Sequence, residues 1–133
     1  MRVVFDTNVF ISSFFGGIPG DVIRLWHTGE VTLCLTGKIL DEYLKVLQRM
    51  GLDGTKEFNE LLGLFKSSHN AVFTSKTPSL SVADDKDDDK FIEAAVAHNA
   101  EIIVSGDKHL LSLKEYMKIR ILSPREFIGL FRK

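Results

Sequence analysis

The stretch VVFDTNVF, residues 3–10, places a carboxylate directly after a run of apolar residues. Its first three residues form a short, fully apolar segment, which is typical of a strand buried on both faces. Asp6 follows at once, and a second apolar run begins at Val9. Burying a carboxylate is costly unless its charge is compensated. The stretch therefore predicts a buried strand that delivers Asp6 to a place where something binds its charge.

Length and composition predict one globular domain over residues 1–133. Hydrophobic residues make up 44% and charged residues 26% of the chain, which is ordinary for a globular protein. No apolar run approaches the roughly 20 residues of a membrane span, and no basic leader with a cleavage site precedes the first strand. The one cysteine, Cys34, lies in the apolar run VTLCL and is expected to be a reduced core residue. We therefore expect a cytoplasmic protein with no membrane partner.

Short apolar runs alternate with helical periodicity along the chain. The predicted strands are RVVF, EVTLCL, NAVF, EIIVSGD and IRILS. The predicted helices are 9–15, DVIRLWH, 36–50, a segment around 58–65, a helix from the aspartate run to about Asn99, and PREFIGLF. GGIPG is expected to break the chain and SKTPSLS to form a loop. Strands separated by helices predict an α/β fold with a parallel sheet covered on both faces.

Two aspartates follow predicted strands directly. Asp6 ends the first strand, and Asp107 follows IIVSG, where Gly106 allows a tight turn. Functional groups in open parallel sheets gather beyond the carboxyl ends of the strands. We therefore expect these two carboxylates to converge.

Helical phase selects two further acids. In ILDEYLKVL, Glu42 lies at the edge of the apolar face, whereas Asp41 lies opposite that face and is expected to be solvated. In the next acidic helix, Asp88 lies along the face that carries the apolar residues, flanked by Asp87 and Asp89. Glu42 and Asp88 are therefore the predicted inward members, and a shift of one residue would exchange Asp88 with a neighbour.

Each acid taken alone has an ordinary structural explanation. Aspartates at helix starts are most often caps, and the run from 84 to 107, with eight acidic and two basic residues, is by itself a solvated acidic surface. A calcium-binding EF-hand loop starting at Asp85 fails, because Lys90 stands where glycine is needed and Val96 where glutamate is needed. Four inward carboxylates together favour a bound divalent cation.

Four segments in order resemble the PIN domain family, namely VVFDTNVFISSFF, ILDEYLKVL, DDDKFIEAAVAHNAEIIVSGDKHLL and IRILSPREFI. The likeness covers essentially the whole chain and is closest to the subgroup described as toxin components of toxin–antitoxin systems. The resemblance implies a three-layer α/β/α fold with a central parallel sheet. It also implies endonucleolytic cleavage of RNA that depends on Mg²⁺ or Mn²⁺ and leaves a 5′-phosphate and a 3′-hydroxyl. A cognate antitoxin protein and a homodimer are implied as partners.

The family's acidic quartet matches residues already singled out by strand position and helical phase. Its catalytic and metal-binding positions match Asp6, Glu42, Asp88 and Asp107. Asn8 and Ser105 match polar positions that support the site. The subgroup commonly has threonine where Ser105 stands, and the serine keeps the hydroxyl.

A polyanionic substrate has to be held by cations outside an acidic site. The first candidates are Lys108, Lys114, Arg24 and Lys38, followed by Lys45, Arg49, Lys118, Arg120 and Arg125. The aromatic residues Phe14, Phe15 and Trp26 are candidates for base stacking, although their apolar pattern favours core packing.

Two other classes of protein remain open. A haloacid-dehalogenase-type phosphatase also begins with a strand that ends in aspartate, but it needs a second acid where this chain has Asn8. A metal-dependent phosphatase of small phosphoesters is distinguished from a nuclease by its substrates. The second class, which is not an enzyme, is an RNA-binding PIN module without turnover.

Overall fold

A computed structural model describes residues 1–132 of the chain. In these residues six strands form one sheet in the order β3-β2-β1-β4-β6-β5. The strands are β1 (Arg2–Phe5), β2 (Thr32–Thr36), β3 (Ala71–Thr74), β4 (Ile102–Val104), β5 (Glu115–Tyr116) and β6 (Ile119–Leu122). All neighbouring pairs are parallel except β5 with β6.

Seven helices flank the sheet in the part of the chain that the structure describes. They are α1 (Thr7–Ser12), α2 (Gly17–His27), α3 (Gly37–Arg49), α4 (Lys56–Lys66), α5 (Asp89–His98), α6 (Lys108–Leu111) and α7 (Pro124–Gly129). Helix α5 packs against β1, β2, β3 and β4, while α7 packs against β6 and α2. This is the predicted three-layer α/β/α arrangement. Over residues 1–132, no helix has the length and apolar character needed to cross a membrane.

The central position of β1 determines where the functional groups lie. Strand β1 pairs with β2 on one side and β4 on the other, with Phe5 level with Val104. The chain therefore leaves both strands at the same height, and the Asp6 amide donates to the carbonyl of Val104 at 3.0 Å. The expected convergence of the strand ends is built into this register.

Several predicted boundaries were wrong, for local reasons. The stretch GGIPG was predicted to break the chain, but α2 already begins at Gly17 and includes most of it. The helix tolerates Pro19 because backbone amides in the first turn of a helix have no hydrogen-bond partner within the helix, so the missing amide costs nothing there. Helix α1 begins two residues earlier than predicted, because Asp6 caps it. Predicted strand EIIVSGD is shorter, since only Ile102–Val104 pairs.

Two short elements were missed, and one of them corrects the sheet. Strand β5 has only two residues and pairs antiparallel with β6, so the sheet is mixed rather than wholly parallel. Helix α6 has four residues and is capped by Asp107, whose side chain accepts from the amide of His109. Elements this short carry no periodic signal in a sequence.

Several aromatic residues of the first half of the chain pack against one another in the core. The rings of Phe10 and Tyr43 stack with centroids 4.1 Å apart, and the fully buried Trp26 packs on Phe65. The Tyr43 hydroxyl donates to the carbonyl of Phe5, which ties α3 to the end of β1.

Phe14, Phe15 and Trp26 were candidates either for core packing or for base stacking at the surface. Trp26 belongs to the core and Phe14 packs against it, whereas Phe15 is 69% exposed. Cys34 is buried as predicted, and burial raises the pKa of its thiol to about 11, so it stays protonated at neutral pH.

Candidate functional site

Asp6 lies at the carboxyl end of β1, almost fully buried. Its Oδ1 accepts from the amide of Val9 at 2.9 Å, and its Oδ2 accepts from the hydroxyl of Ser105 at 2.5 Å. Burial raises the pKa of the Asp6 carboxyl, with a smaller contribution from the charge of Asp107, and the two hydrogen bonds oppose the shift. Each oxygen keeps a lone pair, so Asp6 remains able to bind a cation.

Ser105 joins the ends of β1 and β4. It is fully buried, and its hydroxyl accepts from the amide of Asp107 at 3.0 Å while donating to Asp6. Asp107 is half-buried and caps α6 through His109. Ser105 thus contacts both acids, and the charge of Asp107 acts on Asp6.

Asp88 is the member of the aspartate run that faces these two acids. Its Oδ2 is buried and has no hydrogen-bond partner within residues 1–132. Burial, followed by the charges of Asp107, Asp85 and Asp6, raises the pKa of the Asp88 carboxyl to about 6. A buried carboxylate oxygen without a donor is costly in a folded protein unless a cation binds it.

The neighbours of Asp88 have other roles. Asp87 is exposed. Asp89 is buried, and its Oδ1 accepts from the amides of Val82 and Ala83 at 3.0 and 2.8 Å. Glu93, one turn later on α5, accepts from the amide of Leu80 at 2.8 Å. These two inward acids fasten the preceding loop to α5, which leaves Asp88 as the aspartate of this run directed towards Asp6 and Asp107.

Glu42 is placed at the edge of the site as its helical phase predicted, but both of its oxygens are engaged. The hydroxyl of Thr7 donates to Oε2, and the ammonium group of Lys90 forms an ion pair with Oε1. Asp41, one residue earlier, is exposed and pairs with Lys45 at 2.9 Å, which confirms its predicted place on the solvated face.

Sequence reasoning missed Thr7 and Lys90. Thr7 directly follows Asp6 and is buried, whereas Asn8, the predicted supporting residue, is exposed and has no side-chain hydrogen bond in the described part of the chain. Lys90 is the one cation in the first turn of an acidic helix, and that position was the signal that could have identified it.

The acids do not form a closed coordination shell in this structure. Across residues 1–132, no three aspartate, glutamate, histidine or cysteine side chains are grouped so that they could hold a metal ion as they stand. Burial raises the pKa of Asp6 and of Asp88, and the charges of neighbouring carboxylates add to both shifts. The orphaned Oδ2 of Asp88 and the hard oxygen donors of Asp6 and Asp107 nevertheless fit Mg²⁺ or Mn²⁺ in chemistry.

A groove of about 690 Å³ opens beside Glu42, between α3 and the loop that precedes α5. We call it the α3–α5 groove. Five cations line it, Lys38, Lys45, Arg49, Lys86 and Lys90, together with five acids, Asp41, Glu42, Asp87, Asp89 and Glu93. Lys45 and Lys90 are neutralised by the ion pairs already described. Among the residues that the structure describes, no carboxylate lies within ion-pair distance of the other three.

The other predicted RNA-binding cations lie outside this groove. Arg24 pairs with Asp21 on α2 at 3.0 Å. Lys108 is exposed in the first position of α6, directly after Asp107, and Lys114 is exposed in a left-handed turn with φ of 60°. Of the four first candidates, the structure brings only Lys38 to the groove beside the acids.

The fold and the acids at its strand ends define a class of protein. A family model described as "PIN domain" matches residues 2–109, and the chain belongs to this family. PIN domains are in general metal-dependent nucleases. The chain is also similar to the uncharacterized protein MJ1680 of Methanocaldococcus jannaschii, with 34% identity over 147 aligned positions that cover 100% of this chain and 93% of the relative.

Proposed function

We propose that this PIN domain is an endoribonuclease that hydrolyses phosphodiester bonds of RNA with the help of Mg²⁺ or Mn²⁺. The observation that carries the proposal is the buried, unpartnered Oδ2 of Asp88, which shares the carboxyl edge of the sheet with Asp6 and Asp107. When bound there, a divalent cation would polarise the scissile phosphate and lower the pKa of a water molecule.

The side chains around the acids have defined tasks in this proposal. Asp6, Asp88 and Asp107 hold the cation. Ser105 fixes the orientation of the Asp6 carboxylate through its hydrogen bond, as groups behind metal ligands commonly do. The contact between Ser105 and Asp6 is already present in the fold, whereas the carboxylates of residues 1–132 are not yet grouped around a cation.

Three cations of the α3–α5 groove supply the phosphate contacts that an acidic centre lacks. Lys38, Arg49 and Lys86 are free to meet phosphate groups, and the groove borders the site at Glu42. Contacts of this kind bind the backbone of RNA without reading its bases. Weak sequence preference and strong dependence on salt are the expected properties of substrate binding.

The test is cleavage of an end-labelled, unstructured RNA by the wild type, Asp88→Asn and Asp87→Asn, in Mn²⁺ and in EDTA. Loss of even a group that only hydrogen-bonds to a metal ligand costs about 10–100-fold at metal sites, so Asp88→Asn should lose at least that much activity. Asp87→Asn, an exposed neighbour, is the matched control and should cut like the wild type. Equal cleavage in EDTA would overturn the proposal.

Two further measurements, hydrolysis of a small phosphomonoester and binding of RNA, distinguish the nuclease from the alternative functions. A small phosphomonoester hydrolysed in place of RNA would indicate a phosphatase. RNA retained on the protein but never cut, at any Mn²⁺ concentration, would indicate an RNA-binding module without turnover.

We further propose that the nuclease acts in the cytoplasm as the toxin of a toxin–antitoxin pair and forms a homodimer. The resemblance of the sequence to that subgroup supports this role. Wild-type expression should arrest growth and Asp88→Asn should not, and co-expression of a cognate antitoxin protein should restore growth. Light scattering should give the mass of a dimer. Growth that is unaffected by the active enzyme would favour RNA processing instead.

A further inference from the structure

The Glu42–Lys90 pair is a salt bridge between two helices at the edge of the acidic centre. Lys90 lies in the first turn of α5, and Glu42 lies on α3. The Lys90 side chain is only 15% exposed and that of Glu42 30%, so the pair is largely withdrawn from water. A charge withdrawn in this way is costly unless its partner stays in place. The Thr7 hydroxyl occupies the other oxygen of Glu42 and holds the carboxylate in position.

The ammonium group of Lys90 also acts on the acids beyond Glu42. Its charge lowers the pKa of Asp88, in opposition to burial and to the charges of Asp107, Asp85 and Asp6. Lys90 therefore lies near enough to stabilise Asp88 as a carboxylate while it is bound to Glu42. The positive charge of Lys90 thus already lies among the four predicted acids.

We propose that Lys90 is a resident cation of the centre, which neutralises Glu42 so that Asp6, Asp88 and Asp107 alone hold the divalent ion. Lys90 and Glu42 are then positioning residues, and Glu42 is not a metal ligand. The inference rests on the metal site of the proposed function, and it removes Glu42 from the four carboxylates that the sequence predicted as metal ligands. It follows from the engagement of both Glu42 oxygens by Thr7 and Lys90.

The competing arrangement is the one that the sequence suggested, in which Glu42 binds the metal and Lys90 is displaced. Single variants do not separate the two. Under either arrangement, Glu42→Gln leaves Lys90 as an unpaired positive charge that repels Mn²⁺. Likewise, Lys90→Met leaves Glu42 as an unpaired negative charge that attracts it. The double variant removes both charges at once and is therefore decisive.

The experiment is calorimetric titration of Mn²⁺ into the full, RNA-free chain, with circular dichroism to check folding. The wild type should bind one ion. Glu42→Gln should bind it more weakly, Lys90→Met more tightly, and the double variant within about fivefold of the wild-type Kd, as a charge-neutral exchange predicts. Asp88→Asn, which removes a ligand, should weaken binding by at least about 10–100-fold. The double variant leaves no unpaired charge, so it should fold even where a single variant does not.

A double variant that binds Mn²⁺ as weakly as Asp88→Asn would overturn the inference and make Glu42 a ligand. Binding of two ions by the wild type would overturn it as well, because Lys90 would then not replace a second cation. The proposed function fails separately: RNA left uncut by a protein that binds Mn²⁺ as described would refute the nuclease and leave the role of Lys90 supported. A wild type that binds no Mn²⁺ would refute both.

Discussion

Replacing Asp88 with asparagine should stabilise the metal-free protein at neutral pH, although the residue belongs to the site. The pKa of the Asp88 carboxyl is raised from 3.8 to about 6, first by burial and then by the neighbouring negative charges. The folded state therefore binds this proton more tightly than the unfolded chain does. This tighter proton binding contributes to the free energy of unfolding. The contribution is fully present below pH 3.8 and is lost as the pH rises through 6. Asparagine carries no charge and escapes this loss.

The size of the effect follows from the shift and from the exposure of the side chain. A shift of about two pKa units would correspond to about 2.7 kcal/mol at pH 7 in the absence of screening. Asp88 is half-buried and only its Oδ2 is sealed from solvent. Solvent screening reduces such an interaction, and we expect about 1 kcal/mol. In a domain of this length, that corresponds to roughly 4 °C in Tm.

Urea denaturation in EDTA at pH 7 and pH 4 measures the effect. Asp88→Asn should gain stability at pH 7 and nearly none at pH 4, where the wild-type carboxyl is protonated in the folded state. Asp87→Asn, on an exposed neighbour, should match the wild type at both values. A gain of the same size at pH 4 would refute the electrostatic reasoning, as would no gain at pH 7.

Saturating Mn²⁺ should reverse the order of stability. An ion that binds only the folded state adds RT ln(1 + [L]/Kd), about 2.7 kcal/mol at a hundredfold excess over Kd. The wild type should gain this amount and Asp88→Asn should gain little, so that the variant becomes the less stable protein. A Tm indifferent to millimolar Mn²⁺ in the wild type would show that no site forms.

Three further substitutions test contacts around the site. Asp89→Asn should lower the free energy of unfolding by about 1–3 kcal/mol, because it weakens the bonds that hold the loop at 82–83; a loss below 0.5 kcal/mol in urea denaturation would contradict this. Ser105→Ala should cost about 1–3 kcal/mol by leaving Oδ2 of the buried Asp6 carboxylate without a donor, and Mn²⁺ should restore part of that loss in thermal scans. Tyr43→Phe should cost about 0.5–1.5 kcal/mol by freeing a buried strand carbonyl, with RNA cleavage unchanged.

Local sequence was sufficient to predict five of the six strands described in the sheet, and which helix faces turn towards the core. The apolar run before Asp6 predicts a buried strand, and parallel topology brings the ends of such strands to one edge. Helical phase placed Glu42 at the edge of the core and Asp41 in solvent, as the structure confirms. These predictions succeeded because each depends on one periodicity or one strand end. The starting point of α2 was not predictable in this way, since Gly17 and Pro19 favour a turn and a helix start equally well.

Only the tertiary structure determined which side chains meet. Lys90 and Glu42 are 48 positions apart, and Thr7 and Glu42 are 35 positions apart, so no local pattern relates them. Asp89, rather than Asp88, accepts hydrogen bonds from the loop before α5, because the amides of Val82 and Ala83 lie next to Asp89. A sequence indicates which face of a helix turns inward, because burial follows the periodicity of each element, but the buried positions of Asp89 and Glu93 were not predicted from it. Which partner neutralises each carboxylate is determined by the packing of separate elements, because charges in a folded chain interact through space.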